Sequence, residues 1–284
     1  MKISIIIPAF NEAKDIHKLI ESIAKQTHTP NQVIIVDDNS TDQTFQIASS
    51  LADKHPWLQV FKHKSSGGHK PGKKVINAFN FGLEFISLDD SGLIGKFDAD
   101  IVLPPNYFEN IVTLFKADEK IGIAGGNLYI KQQEDWVFED ISEKTKVRGP
   151  IKLYRKQCFQ DIGGLKASIG WDTVDELLAQ YHGWKIQTDT SLHVKHLKPT
   201  GQAYSPSSRY KQGEAFYKLR YGFLLTIIAS GKLAVRKKST RFFIDCLKGF
   251  FEAKKNKLEF LVSEKEGEFI RQLRWKGIQR KLFK

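Results

Sequence analysis

"NQVIIVDDNSTDQT", residues 31–44, joins an apolar run to a string of acidic and turn-forming residues. The run "VIIV" reads as a strand, and Asp37, Asp38, Asn39 and Ser40 read as the turn that ends it. Phe45, Ile47, Ala48 and Leu51 then place a helix after the turn. The same plan precedes this stretch. "KISIIIPAF" is an apolar strand that Pro8 is expected to stop, and Ile16, Leu19, Ile20 and Ile23 fall on one helical face behind it. It also recurs downstream, as "LQVFKHK" (58–64) before "VINAFNFGLEFI" and as "GLIGKFDAD" before "NYFENIVTLFK". Strands alternating with helices predict an α/β fold, a mostly parallel mixed sheet flanked by helices.

The chain has 284 residues, 41% of them hydrophobic, with 20 Phe, 8 Tyr and 5 Trp, which is material for a sizeable core. Cys158 and Cys246 lack C-x-x-C spacing, which argues against a disulfide scaffold or zinc ribbon and fits a cytoplasmic location. The apolar start before Pro8 is too short for a signal peptide's apolar region. The longest apolar stretch, "YGFLLTIIASG" (221–231), falls short of the roughly 18 residues that spanning a bilayer needs. Charge divides the chain in two. Residues 1–205 carry 24 Lys and Arg against 25 Asp and Glu, whereas residues 206–284 carry 20 against 7. The expected organisation is a catalytic α/β domain over 1–205 and a basic, mainly helical extension over 206–284.

In such sheets, function gathers at the carboxyl ends of the strands. Three strands deliver polar residues there: Asn11 and Glu12, Asp37 and Asp38, Asp98 and Asp100. Asp and Asn also cap helices and make turns, so each cluster alone has a bland explanation. Three on one edge suggest a cation site of the kind Mg²⁺ or Mn²⁺ occupies, with few protein carboxylates and the remaining positions filled by water and phosphate. Alternation along an extended chain would put Asp98 and Asp100 on one side, roughly 6.5–7 Å apart at the backbone.

"SIIIPAFNEA", "VIIVDDNSTDQT", "KVINAFNFGL", "KFDADIVLPPNYF", "IKLYRKQCFQDIGGL" and "GWDTVDELLAQYHGW" follow one another in an order that resembles family 2 glycosyltransferases of the GT-A (Rossmann-like) fold, over roughly residues 1–205. The resemblance implies a nucleotide pocket lined by Pro8, Ala9, Phe10 and Glu12, with Asp38 on the base. It implies Asp98 near the ribose or sugar, Asp100 as ligand of Mn²⁺ or Mg²⁺, and Gly163 and Gly164 as a glycine loop beside sugar and acceptor. In "WDTVDE", Trp171 stands where the family's first Glu is usual. Counting back from "HGW" puts Asp172 at the position of the catalytic base, with Asp175, on the same helical face, as second choice. Asp172 also suits a helix N-cap. The family often carries a further histidine ligand, for which His193 and His196 both qualify; His196, beside "KPTG", is preferred. The implied reaction is inverting transfer of a single sugar from a nucleoside-diphosphate sugar to a saccharide or lipid-linked acceptor, in cell-surface polysaccharide or glycan synthesis. Acceptor recognition would fall to the loops around 130–150 and to the tail.

"RYKQGEAFYKLRYG" (209–222) is similar to the segment after the catalytic domain in bacterial members that build surface polysaccharides. "RQLRW" (271–275) resembles the Q-x-x-R-W motif of processive synthases but is one residue short. In the tail, Phe242, Phe243, Cys246, Leu247, Phe250 and Phe251 form an apolar stripe with basic flanks. It would either pack on the catalytic domain or attach to an anionic membrane face, placing the protein peripherally on the inner side of the plasma membrane. Lys73 and Lys74 could meet a diphosphate or simply begin a helix, and "SSGGHKPGKK" lacks the P-loop's final Ser or Thr. Nucleic-acid binding is the rival for the basic tail, but no nucleic-acid motif is present and no such partner is expected. A nucleotidyltransferase would need a glycine-rich loop after the first strand, and a non-catalytic relative is the reading that Trp171 raises.

Overall fold

The computed structural model describes residues 1–64, 72–199 and 210–282. Among the described residues, nine strands form one sheet. Its first half is parallel: β3 (Leu58–Lys62), β2 (Gln32–Asp37), β1 (Ile3–Ala9) and β4 (Leu93–Phe97), in that spatial order. Beyond β4 lie β8 (Ile151–Arg155), β6 (Ile121–Gln132), β9 (Lys185–His196) and the short β5 (Ile101–Val102), while β7 (Asp135–Phe138) hangs from β6. The pairs β4–β8, β8–β6 and β9–β5 are antiparallel and β6–β9 is parallel, so the sheet is mixed as expected.

Helices α1 (Ile16–Ala24), α2 (Thr44–Ala52) and α4 (Tyr107–Ala117) cover one face. Helices α3 (Lys73–Leu83), α5 (Lys156–Asp161) and α6 (Trp171–Tyr181) cover the other. Strands buried on both faces must be apolar throughout, and all seven residues of β1 are buried. Ile3, Ile5 and Ile7 enter the first core and Ile6 the second. Pro8 does not stop this strand: the pairing with β2 continues to Ala9. The ladder with β4 reaches only Ile6, so Pro8 has a strand neighbour on one side alone, where proline is tolerated.

Among the described residues, four helices follow: α7 (Lys211–Lys218), α8 (Gly222–Arg236), α9 (Thr240–Lys255) and α10 (Glu264–Leu282). Phe216, Leu219, Tyr221, Leu225, Phe250, Val262 and Ile270 join the core that contains α3, α5 and α6. The tail therefore packs on the α/β body. The expected boundary at 205 lies outside the described residues, as does the glycine-rich stretch 65–71. In the stripe on α9, Cys246 and Phe250 face inward, while Phe251 is half exposed.

Candidate active site

Strand β4 ends at Phe97, and the chain turns through Asp98, Ala99 and Asp100 before β5. The two aspartates are thus presented by a turn, not by alternation along an extended strand. The Asp98 amide donates to the Pro150 carbonyl (3.0 Å), and the Asp100 carbonyl accepts from the Leu197 amide (2.8 Å). These bonds tie the turn to the segments before β8 and after β9. His196, the last residue of β9, pairs with Ile101 and so arrives beside Asp100.

Asp98, Asp100 and His196 each offer a ligand atom, all within 4.8 Å of one another, and no other such cluster occurs among the described residues. His196 Nε2 lies 3.7 Å from Asp100 Oδ2, and its Nδ1 lies 3.1 Å from Glu139 Oε2. A carboxylate behind an imidazole fixes the ring and raises its basicity, the usual support for a metal-ligating histidine. Burial opposes protonation of His196, but the Glu139 bond and the Asp100 charge outweigh it and raise its pKa. Asp100 is pushed up to about 6, first by burial and then by Asp98, with His196 and Lys198 pulling the other way. The carboxylates gathered here give a cation a favourable place beside them. Two carboxylates and one imidazole suit Mn²⁺, and Mg²⁺ if phosphate and water complete the shell. His193 is elsewhere: it stacks on Tyr129 at 4.1 Å and bonds that hydroxyl at 3.0 Å.

A cavity of about 810 Å³ opens over this cluster and is also lined by Glu12, Lys198, Trp171 and Asp172. Glu12 and Lys198 are joined at 2.5 Å, and burial raises Glu12 to about 7 despite that partner. Gly170, with φ +71°, begins α6, so Asp172 occupies the first turn and is not the N-cap. Asp175 has a different place. It is 2% exposed, accepts two bonds from Lys152 Nζ (2.8 and 2.9 Å) and one from the Tyr154 hydroxyl (2.5 Å), and does not line the cavity.

Lys96 on β4 and Lys152 on β8 are register partners, both almost fully buried. Like charges directly opposite repel, and the surroundings answer that repulsion. Lys96 pairs with Asp98, and Lys152 with Asp175 and Glu176. The Trp171 ring lies 5.0 Å from one ammonium and 5.8 Å from the other, within reach of cation–π attraction. Lys152 also donates to the Asp172 carbonyl at 2.6 Å, fixing the first turn of α6. The carboxylates around Lys152 hold its pKa up against burial. Sequence reasoning missed Lys96, Lys152, Glu139 and Lys198. For the first two a signal existed, a lysine inside each of the otherwise apolar runs "LIGKF" and "IKLY".

Pro8 and Ala9 close β1, Phe10 beyond them is 52% exposed, and Asp38 is buried against His63 Nδ1 at 2.9 Å. These residues share the sheet edge with Glu12 but do not line the cavity around Asp100. Gly163 and Gly164, with φ of +65° and +69°, end α5 and are also absent from its lining. Lys73 and Lys74 begin α3, where Gly72 and Val75 reach the cavity and the lysines do not.

A curled, mixed sheet flanked by helices on both faces resembles the GT-A glycosyltransferase fold. Two solved structures share it at 20% identity. S. aureus TarS matches with a TM-score of 0.59, covering 82% of this chain and 43% of that one. The mannosyltransferase PcManGT from Pyrobaculum calidifontis, in complex with GDP-Man and Mn²⁺, matches at 0.56, covering 76% and 62%. The family model for glycosyl transferase family 2 matches residues 4–166, and the chain belongs to that family. Among curated relatives, dolichol-phosphate mannosyltransferase of Pyrococcus furiosus is 30% identical over 205 residues, which are 70% of this chain and 54% of that protein. The beta-monoglucosyldiacylglycerol synthase of Nostoc is 28% identical over 194 residues, 61% of this chain and 40% of the relative. The chain thus spans about half the length of these two relatives.

Proposed function

We propose that this protein transfers a single sugar, with inversion, from a nucleoside-diphosphate sugar to a hydroxyl of a saccharide or lipid-linked acceptor. The observation that carries the reading is one cavity lined by Asp98, Asp100, His196 and Asp172. Inverting transfer needs a base on one side of the anomeric carbon and a stabilised leaving group on the other. Asp172 takes the acceptor proton as general base, and Lys152 holds its backbone in place. Asp100 and His196 would hold Mn²⁺ or Mg²⁺, which when bound supplies positive charge to the departing diphosphate. Asp98, with one oxygen engaged by Lys96, is left to hydrogen-bond the donor's ribose or sugar. Pro8, Ala9, Phe10, Glu12 and Asp38 receive the nucleotide along the neighbouring strand ends. Gly163 and Gly164 act at the margin, shaping the loop before α6.

Relatives that act on dolichol phosphate and on diacylglycerol support a lipid-linked acceptor and a place at a membrane face. No helix among the described residues is long and apolar enough to cross a membrane. Single transfer is also supported by the "RQLRW" segment, whose Arg271 and Arg274 bond the Arg220 carbonyl and the Tyr221 hydroxyl.

The test is a panel of nucleotide sugars with Mn²⁺ or Mg²⁺, read by binding and by release of nucleoside diphosphate. One donor is expected to bind with metal and to lose most of its affinity in EDTA. No binding by any donor in the presence of metal would refute the reading.

A further inference from the structure

A second cavity, of about 780 Å³, lies along the side of α6 and is framed by the segment 141–146, the start of β9, Arg236 of α8 and Arg274 of α10. It meets the first cavity at Thr173, which lines both and directly follows Asp172. Its chemistry differs from that of the acidic edge. Lys146 donates to Thr173 Oγ1 (2.9 Å), Arg236 to the Asp140 carbonyl (3.0 Å) and Arg274 to the Tyr221 hydroxyl (2.9 Å). All three spend their hydrogen bonds on neutral oxygens. The acidic residues of the lining are Glu143 and Glu176. Glu176 Oε2 is 4.0 Å from Lys146, and its buried Oε1 has no hydrogen-bond donor although Lys152 Nζ is 3.3 Å away. Gln180, Gln187, Thr145 and Ser142 add amides and hydroxyls, and the partly buried Trp184 adds an indole.

We infer that this second cavity is an acceptor subsite for a negatively charged saccharide chain, whose reacting end crosses Thr173 to reach Asp172. The inference rests on the glycosyltransferase reading above. Amides and hydroxyls match sugar hydroxyls, and an indole offers a face to a sugar ring. Guanidinium groups recognise carboxylate and phosphate through paired N–H donors. The position argues the same way. The donor belongs to the strand ends at Asp98 and Asp100, and an acceptor must approach Asp172 from its other side. The cavity that begins one residue past Asp172 is where the rest of a long acceptor would run.

The probes are oligogalacturonates, which carry carboxylates, oligosaccharides bearing phosphate monoesters, and neutral galacto-oligosaccharides of the same lengths. Each is titrated into the full chain by NMR, with nucleotide-sugar binding measured separately. The acidic oligomers are expected to bind at least tenfold more tightly than the neutral ones, and the margin should shrink as salt screens the charges. The two acidic arms decide whether carboxylate or phosphate is preferred. Arg236→Gln, at an exposed position, should lower acidic-oligomer affinity about tenfold while leaving nucleotide-sugar binding unchanged; Lys146→Gln should act in the same direction. Equal binding of acidic and neutral oligomers, binding of neither, or an unaltered affinity in both variants overturns the subsite. If nucleotide sugars also fail to bind, the glycosyltransferase reading itself has failed, which is a separate result.

Discussion

Asp172 and Asp175 stand one helical turn apart and answer to different forces. Asp172 lines the open cavity, where a carboxylate can reach an incoming hydroxyl. Asp175 is enclosed by Lys152 and Tyr154, where its charge balances a buried ammonium. Asp172→Asn should therefore lower kcat by about 10²–10⁴-fold while donor affinity in a binding assay stays the same. Asp175→Asn should instead act on stability. Leaving Lys152 with less compensation costs about 3 kcal/mol, to be read as a fall in the urea midpoint. A rate loss in Asp175→Asn with wild-type stability would reverse the two assignments. The sequence could put both aspartates on one helical face but could not choose by geometry between them. The deciding partner, Lys152, is 23 residues away, on a strand whose register fixes its place. The same limit applied to His193 and His196. Both lie on β9, and only pairing with β5 shows which one arrives at Asp100.

At the scale of elements, the alternating strands and helices of the first half were legible because each carries its own period and turn chemistry. The antiparallel insertion of β8 between β4 and β6 was not, because it depends on long-range pairing. Nor was the crossing of α7 and α9. A Cβ on Gly213 would meet the Cys246 carbonyl oxygen at 1.8 Å, and one on Gly249 would meet the Tyr210 carbonyl oxygen at 2.0 Å. The obstacles are backbone atoms, which no rotamer change can move. Gly213→Ala must push the helices apart and disturb Ala215 and Phe216, which line the cavity over Asp100. A loss of about 1–3 kcal/mol is expected by thermal or urea unfolding. Gly231→Ala is the contrast, because nothing lies within 4 Å of its added Cβ. On α8 it should be neutral or stabilise by up to about 1 kcal/mol. Equal losses in the two variants would rule out the crossing as the cause.

At the scale of the whole molecule, the tail has an inner and an outer face. Its inner face completes the core under α6, which accounts for Phe250, Val262 and Ile270. The outer face leaves Phe223, Leu224, Ile228 and Val235 of α8 exposed, together with Ile244 and Phe251 of α9. Between residues 222 and 257 there are nine Lys and Arg against two Asp and Glu. Helices with exposed apolar residues and a basic surround suit the interface of an anionic bilayer, where each basic residue near the surface contributes about 1 kcal/mol. Composition revealed the charge excess, but only the packing separates the phenylalanines that serve the core from those left exposed. The protein is therefore expected to co-sediment with vesicles rich in phosphatidylglycerol and to stay in the supernatant with phosphatidylcholine alone. Leu224→Ser with Val235→Ser should reduce the bound fraction severalfold without lowering the unfolding temperature, because both side chains are mostly in solvent. High salt should weaken binding in parallel, since the basic residues act through a screened field. Binding that is indifferent to lipid charge and to both substitutions would assign the exposed face to another partner.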